Sequence, residues 1–184
     1  MGKQPKTGYY EQIKINRDKA EKLKAKEHYT KEIFTGGGFL EKPPAGKQNP
    51  EEERDNYITY KLLAQAGYQY RLLPVVNEDF VKNPDALNCF TGYYSDAKHP
   101  TTVRQISRSL HNGIKSGYEQ GSKEIIFRFI REYKQHDIIK GLRAAINTGN
   151  YNDLHRIIII TSQGVINVFT IESLLSKFKK QQRR

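Results

Sequence analysis

Residues 83–98 read Asn-Pro-Asp-Ala-Leu-Asn-Cys-Phe-Thr-Gly-Tyr-Tyr-Ser-Asp-Ala-Lys, with two aspartates and a lysine spaced for joint work. Asp85 opens a strand-like run, Thr91-Gly92 reads as a turn, and Asp96 and Lys98 stand two apart on the returning run. Side chains two apart on a strand face the same side, and a hairpin brings Asp85 toward them. Carboxylates are hard oxygen ligands for Mg²⁺ or Mn²⁺. Such an ion polarises a phosphate and acidifies a bound water, and a lysine stabilises the anionic transition state or orients the nucleophile. Hydrolysis of a phosphodiester needs this set. The bland alternatives are a Pro-Asp turn for Asp85 and an exposed strand ion pair for Asp96 and Lys98, a pair of little energetic value.

The composition suits that chemistry. The chain has 184 residues and a net charge of +11, from 31 Lys+Arg against 20 Asp+Glu. A basic balance favours a polyanion, nucleic acid first and an anionic membrane surface second. The charge is uneven: residues 51–100 carry 5 basic and 8 acidic groups, while the flanking stretches are basic. Glu51, Glu52 and Glu53 follow Pro50, as acids do at a helix N-terminus; the alternative is a carboxylate cluster that binds a divalent cation. No apolar run is long enough to span a bilayer, and the N-terminus lacks the apolar core of a secretory signal, so a cytoplasmic site of action with no membrane partner is expected. The single cysteine, Cys89, excludes an internal disulfide and a Cys-rich zinc site. His111, His136 and His155 lack ligand spacing for zinc, and His99, before Pro100, reads as a strand-end residue rather than a base.

The elements that must position these residues follow from periodicity and punctuation. Residues 1–48, polar and broken by Gly36-Gly37-Gly38 and Lys42-Pro43-Pro44, read as an extension or linker. Asn49-Pro50 opens a helix that Gly67 stops, with Glu53, Tyr57, Tyr60, Leu63 and Ala64 on one face. Strands are expected at 68–76, 86–90 and 93–98. A helix follows over 103–119, weakened by Gly113 and Gly117. Then come a strand over 124–130, a helix over 135–147, strands over 155–161 and 165–169, and a helix from Thr170 to Phe178. The expected domain is 49–178, followed by a basic tail, 179–184. This order gives an α/β fold, a mixed central sheet flanked by helices. Arg104, Arg108, Lys115 and Lys123 lie just after the motif, on or beside a helix, and are placed to grip a nucleic-acid backbone.

The Pro-Asp, ten residues, then Asp-x-Lys pattern resembles the PD-(D/E)XK nuclease superfamily, with its restriction-endonuclease-like core. A helical acid precedes the motif (Glu53, with Glu52 its competitor), and a helix and a strand follow it. Leu63, Ala64, Gly67, Tyr68, Leu73, Pro74, Pro84, Asp85 and Ala86 look like the C-terminal tRNA nuclease domain of CdiA-type contact-dependent toxins. Gln120 resembles the glutamine that follows the core in those nucleases. The likeness covers roughly residues 50–169 and departs from many members in having Asp96 where they carry Glu. It implies a metal-dependent endonuclease in which Glu53, Asp85 and Asp96 hold Mg²⁺ or Mn²⁺ (Zn²⁺ as a further choice), Lys98 and Gln120 assisting. The implied substrate is RNA, tRNA foremost and DNA second. The implied setting is a bacterial toxin or mobile-element nuclease, inhibited by an acidic immunity protein. The competing readings are an inactive nucleic-acid-binding module and a structural protein of a phage or mobile element.

Overall fold

The computed structural model describes residues 18–22, 24, 29–44, 50–75, 82–101, 105–148, 151 and 153–182. Contacts divide the chain into two compact units, residues 1–95 and 96–184, and the boundary falls within one strand. Each unit is α/β, with mixed strand pairing and helices packed on it, as the element order leads one to expect.

The first unit holds β1 (Thr30–Ile33), β2 (Phe39–Lys42), α1 (Pro50–Gln65), β3 (Gln69–Leu72), β4 (Ala86–Asn88) and the start of β5 (Tyr94–Lys98). β1 and β2 pair antiparallel, β2 and β3 parallel, and β3 with β4 and β4 with β5 antiparallel. The parallel pair requires a crossover, and α1 supplies it. Pro50 at its first position and three glutamates in its first turn start the helix. Gly67, at φ +95°, ends it in a conformation that side-chain-bearing residues rarely adopt. Its inner face, Tyr60, Leu63 and Ala64, is sealed with Leu40 and Tyr70. The Tyr60 ring meets Tyr70 edge-on at 5.0 Å, and its hydroxyl lies 3.0 Å from Ser95 Oγ on β5.

Residues 30–42 correct the expectation of a linker. Leu40 is fully buried, and Glu41 and Arg71, direct partners in the parallel register, are 4% and 8% exposed. Arg71 Nε donates to Glu41 Oε2 at 2.6 Å, Lys24 joins Glu41 at 3.1 Å, and Glu21 pairs with Arg71. Burial alone raises the Glu41 carboxyl, but the hydrogen bonds from Arg71 and Lys24 outweigh it and leave it below its ordinary value. Glu41 thus adds stability at neutral pH that is lost as pH falls through its lowered pKa. Gly38 turns where no side chain fits, since a Cβ there would stand 1.9 Å from the Ala64 carbonyl oxygen.

The second unit continues β5 and adds α2 (Ile106–Glu119), β6 (Glu124–Arg128), α3 (Gln135–Thr148), β7 (Arg156–Ile160), β8 (Ile166–Thr170) and α4 (Ile171–Gln182). β6 and β7 are parallel with α3 as crossover, and β7 and β8 form an antiparallel hairpin. Its core gathers Leu110 and Ile114 of α2, Ile125 and Phe127 of β6, Leu142 and Ala145 of α3, Ile157 and Ile159 of β7, and Leu174 and Phe178 of α4. Thr170 Oγ1 accepts the Ser173 amide at 3.2 Å, capping α4. That helix runs to Gln182, so the expected tail from 179 is in large part helix. The strand expected to reach Ile130 stops at Arg128, and Ile130 is exposed. No helix among the described residues is long and apolar enough to cross a membrane.

A linker could be removed without loss; two strands and a buried ion pair could not. A chain beginning at residue 49 is expected to lose the cooperative melting of the first unit, followed by circular dichroism. An unchanged melt would restore the linker reading.

Candidate functional site

The parallel pair β2–β3 and its crossover dictate where a pocket forms. The carboxyl ends of both strands and the first turn of α1 converge, the place where open α/β sheets usually hold ligands. A pocket lies there, lined by Lys42 at the end of β2 and Pro43 after it, Pro74 beyond β3, Asn56 and Tyr57 of α1, and two of the expected site residues, Glu53 and Asp85. Glu53 is half-buried, whereas Glu51 and Glu52 on the same turn are exposed. Asp85 is also half-buried; its carbonyl accepts the Leu73 amide at 2.9 Å, which extends the β3–β4 ladder to the pocket. The structure therefore brings together two carboxylates that lie on different elements.

Asp96 and Lys98 belong to the second unit. As their spacing requires, they share a face of β5, with Lys98 Nζ 2.7 Å from Asp96 Oδ2. This is no exposed surface pair, since Asp96 is 1% exposed. Helix α2 covers it. A Cβ on Gly117 would stand 2.8 Å from Asp96 Oδ2 and 2.4 Å from Ile125 Cδ1, and one on Gly113 would stand 2.7 Å from the Phe127 ring and 3.3 Å from Lys98 Cγ. The two glycines that weaken the helix by propensity are what let it lie on the Asp96–Lys98 pair. Burying a charge is costly unless it is paired, and Lys98 supplies the counter-charge.

Gln120 sits at the C-cap of α2, half-buried, its amide bonded to the Ser116 and Gly117 carbonyls at 3.1 Å. Gly121, at φ +87°, and the Ser122 amide on the Gly117 carbonyl complete the helix end. Arg108 and Lys115 are exposed on α2, and Lys123 is half-buried ahead of β6. Lys115 lies 4.0 Å from Glu119 one turn on. Arg104 lies outside the described residues. Among the described residues no group of three or more His, Cys, Asp or Glu side chains is gathered to hold a metal ion; the first unit's pocket offers two.

Sequence reasoning missed Lys42, Asn56 and Tyr57 as pocket residues. The signal for Lys42 was present: Thr30–Ile33 and Phe39–Lys42 flank a glycine-rich turn, a hairpin pattern. Periodicity places Tyr57 on the same helix face as Glu53 but does not mark it as a pocket residue, and Asn56 carries no signal.

The comparisons with known proteins are sparse. No protein-family model matches the chain, and no curated protein matches it. Among solved structures, a chain of the CdiA-CT/CdiI toxin and immunity complex from Burkholderia pseudomallei is similar, with a TM-score of 0.48 and 23% identity over 71% of this chain and 98% of that one. That similarity assigns no activity here.

The α2 contact yields a test whose sign is decisive. Helix propensity alone predicts that Gly117→Ala stabilises by about 1 kcal/mol. Crowding against Asp96 and Ile125 predicts a loss of about 1–3 kcal/mol. We expect the urea midpoint of the variant to fall; a rise would mean that α2 can move off the Asp96–Lys98 pair at no cost.

Proposed function

We propose that this protein is a metal-dependent endonuclease of the PD-(D/E)XK kind. Its substrate would be nucleic acid, RNA such as tRNA ahead of DNA, and it would act as a toxin or mobile-element nuclease in the bacterial cytoplasm. The observation that carries this reading is the convergence of Glu53 and Asp85 on one pocket at the carboxyl ends of β2 and β3. Two carboxylates suit a hard cation that keeps several waters, as Mg²⁺ does, and an all-oxygen donor set favours Mg²⁺ or Mn²⁺ over Zn²⁺. Such an ion, when bound, supplies Lewis acidity and a water of lowered pKa. In this reading Glu53 and Asp85 hold it and Asp96 is the third carboxylate. Lys98, anchored on Asp96, presents positive charge to the phosphate, and the Gln120 side-chain carboxamide orients substrate or water.

Charge supports the nucleic-acid partner. Residues 96–184 carry 16 basic and 7 acidic groups, a net of +9, whereas residues 1–95 carry 15 and 13, a net of +2. Arg108, Lys115 and Lys123 belong to the basic unit and serve as backbone contacts, joined in this reading by Arg104. The same imbalance favours an acidic immunity protein as inhibitor. It also supports the second reading, a nucleic-acid-binding module without catalysis, because a binder needs the positive unit and not the pocket.

Incubation with total RNA and with plasmid DNA, in Mg²⁺, Mn²⁺ or EDTA, separates these readings. The nuclease reading expects cleavage with metal and none with EDTA. Glu53→Gln and Asp85→Asn are each expected to slow it about 100-fold or more, on the scale of losing one group that acts in the transition state, with an unchanged circular dichroism spectrum. EDTA-insensitive cleavage, or full activity in both variants, overturns it. Salt-sensitive RNA binding without cleavage favours the binding module.

A further inference from the structure

Lys42 is the one basic residue among the described residues that line the Glu53–Asp85 pocket. It ends β2 and is half-buried. Its ammonium rests on the ring of Tyr57, 4.4 Å from the centroid, the face on which an aromatic ring attracts a cation. Among the described residues no carboxylate lies within ion-pair distance of it.

Tyr57 is held in place from its far end. Its hydroxyl donates to Glu32 Oε1 at 2.7 Å and accepts from Lys61 Nζ at 3.0 Å, and Lys61 pairs with Glu32 at 3.4 Å. The Tyr57 hydrogen bond, and after it Lys61, keeps the Glu32 carboxyl below its ordinary value. Glu32 is hydrogen-bonded to the hydroxyl and paired with Lys61, and it feels the Lys42 ammonium only as a weaker, longer-range attraction. What remains at the pocket wall is a cation on a fixed aromatic platform.

We infer that Lys42, seated on Tyr57, forms an anion subsite in this pocket that takes a phosphate group. In the absence of a bound cation, the charge of the pocket favours such a group. A phosphate approaching Glu53 and Asp85 meets two like charges, and a cation at contact distance offsets them where a distant one is screened. An ammonium on an aromatic face keeps its N–H donors free to turn onto a phosphate oxygen. Tyr57 acts as a positioning residue: it sets where the ammonium waits and does not itself touch the anion. The inference deepens the nuclease reading, in which the anion is a phosphate of the substrate strand.

The test uses inorganic pyrophosphate, the full chain, EDTA and constant ionic strength, and reads the Tyr57 ring signals by NMR, assigned with Tyr57→Phe. In the wild type the signals should shift saturably as Lys42 leaves the ring for the anion. Asp85→Asn should bind more tightly, because one like charge is gone. Lys42→Met should weaken binding about tenfold or more, the scale of one charge-assisted hydrogen bond, and Lys42→Arg should restore it. Lys140→Met, on the exposed side of α3, should leave it unchanged. Ring signals that move in neither the wild type nor Asp85→Asn overturn the subsite, as does equal affinity in Lys42→Met. The readout needs no catalysis. Absence of nucleic-acid cleavage with a moving Tyr57 would sink the nuclease reading and leave the subsite standing.

Discussion

Glu41 and Arg71 face one another across the parallel pair β2–β3, nearly closed off from water, and the first unit depends on their meeting. Register in a sheet is fixed most firmly where a slip carries a heavy penalty. Sliding β2 by one residue would part the buried guanidinium from the buried carboxylate and leave each only its more exposed partner, Glu21 or Lys24, and breaking a buried pair is strongly destabilising. With that register set, the strands run parallel and a crossover must join them. The crossover is α1, so its N-terminus arrives at the strands' carboxyl ends. Glu53, on its first turn, thereby lines the same pocket as Asp85 and Lys42. A salt bridge that touches no substrate thus decides which residues share the pocket.

The second unit is arranged by small residues rather than by a charge pair. Gly113 and Gly117 let α2 descend onto β5 and β6, and Gly141 lets α3 close on α2, where a Cβ would stand 2.7 Å from the Ser107 Cα. These contacts explain why Asp96 is buried although it carries charge. A larger residue at 117 would hold the helix away and admit water. The glycine instead keeps the carboxylate dry, which strengthens its pull on the Lys98 ammonium. In the proposed reading, the pair sets where on β5 the Lys98 ammonium stands.

Much of this was legible in the sequence, and the exceptions have physical causes. The helix from Pro50 to Gly67 declares itself through proline, acids and glycine, and Ile157–Ile160 through an apolar run that only a covered strand tolerates. The shared face of Asp96 and Lys98 follows from strand period alone. The short strands β1 and β2 were not legible as part of the domain, because Thr-Lys-Glu-Ile and Phe-Leu-Glu-Lys carry charge where a buried strand is expected to be apolar. Glu41 is buried only because Arg71, far along the chain, supplies a partner. Helix α2 was weakened in the sequence by its two glycines, because propensity weighs the backbone and cannot see Phe127, Ile125 and Asp96 pressed against it. The meeting of Glu53 with Asp85 belongs to tertiary structure, since no local period links a helix turn to a strand two elements away.

The unequal charge of the two units separates two tasks that a net charge of +11 conflates. The field of a strongly basic unit draws a polyanion in and raises its encounter rate, and it does so with little dependence on where each cation sits. It cannot neutralise a phosphate in contact with carboxylates. That interaction is set within a few ångströms, while mobile ions screen the field beyond about 8 Å at physiological salt. The first unit, at +2, has little field to lend, so the pocket's own electrostatics rest on the groups that line it: two carboxylates, and one lysine held on a tyrosine. In the proposed nuclease reading, two carboxylates with a cation in the same pocket are what a site needs to hold a divalent ion and a phosphate at once.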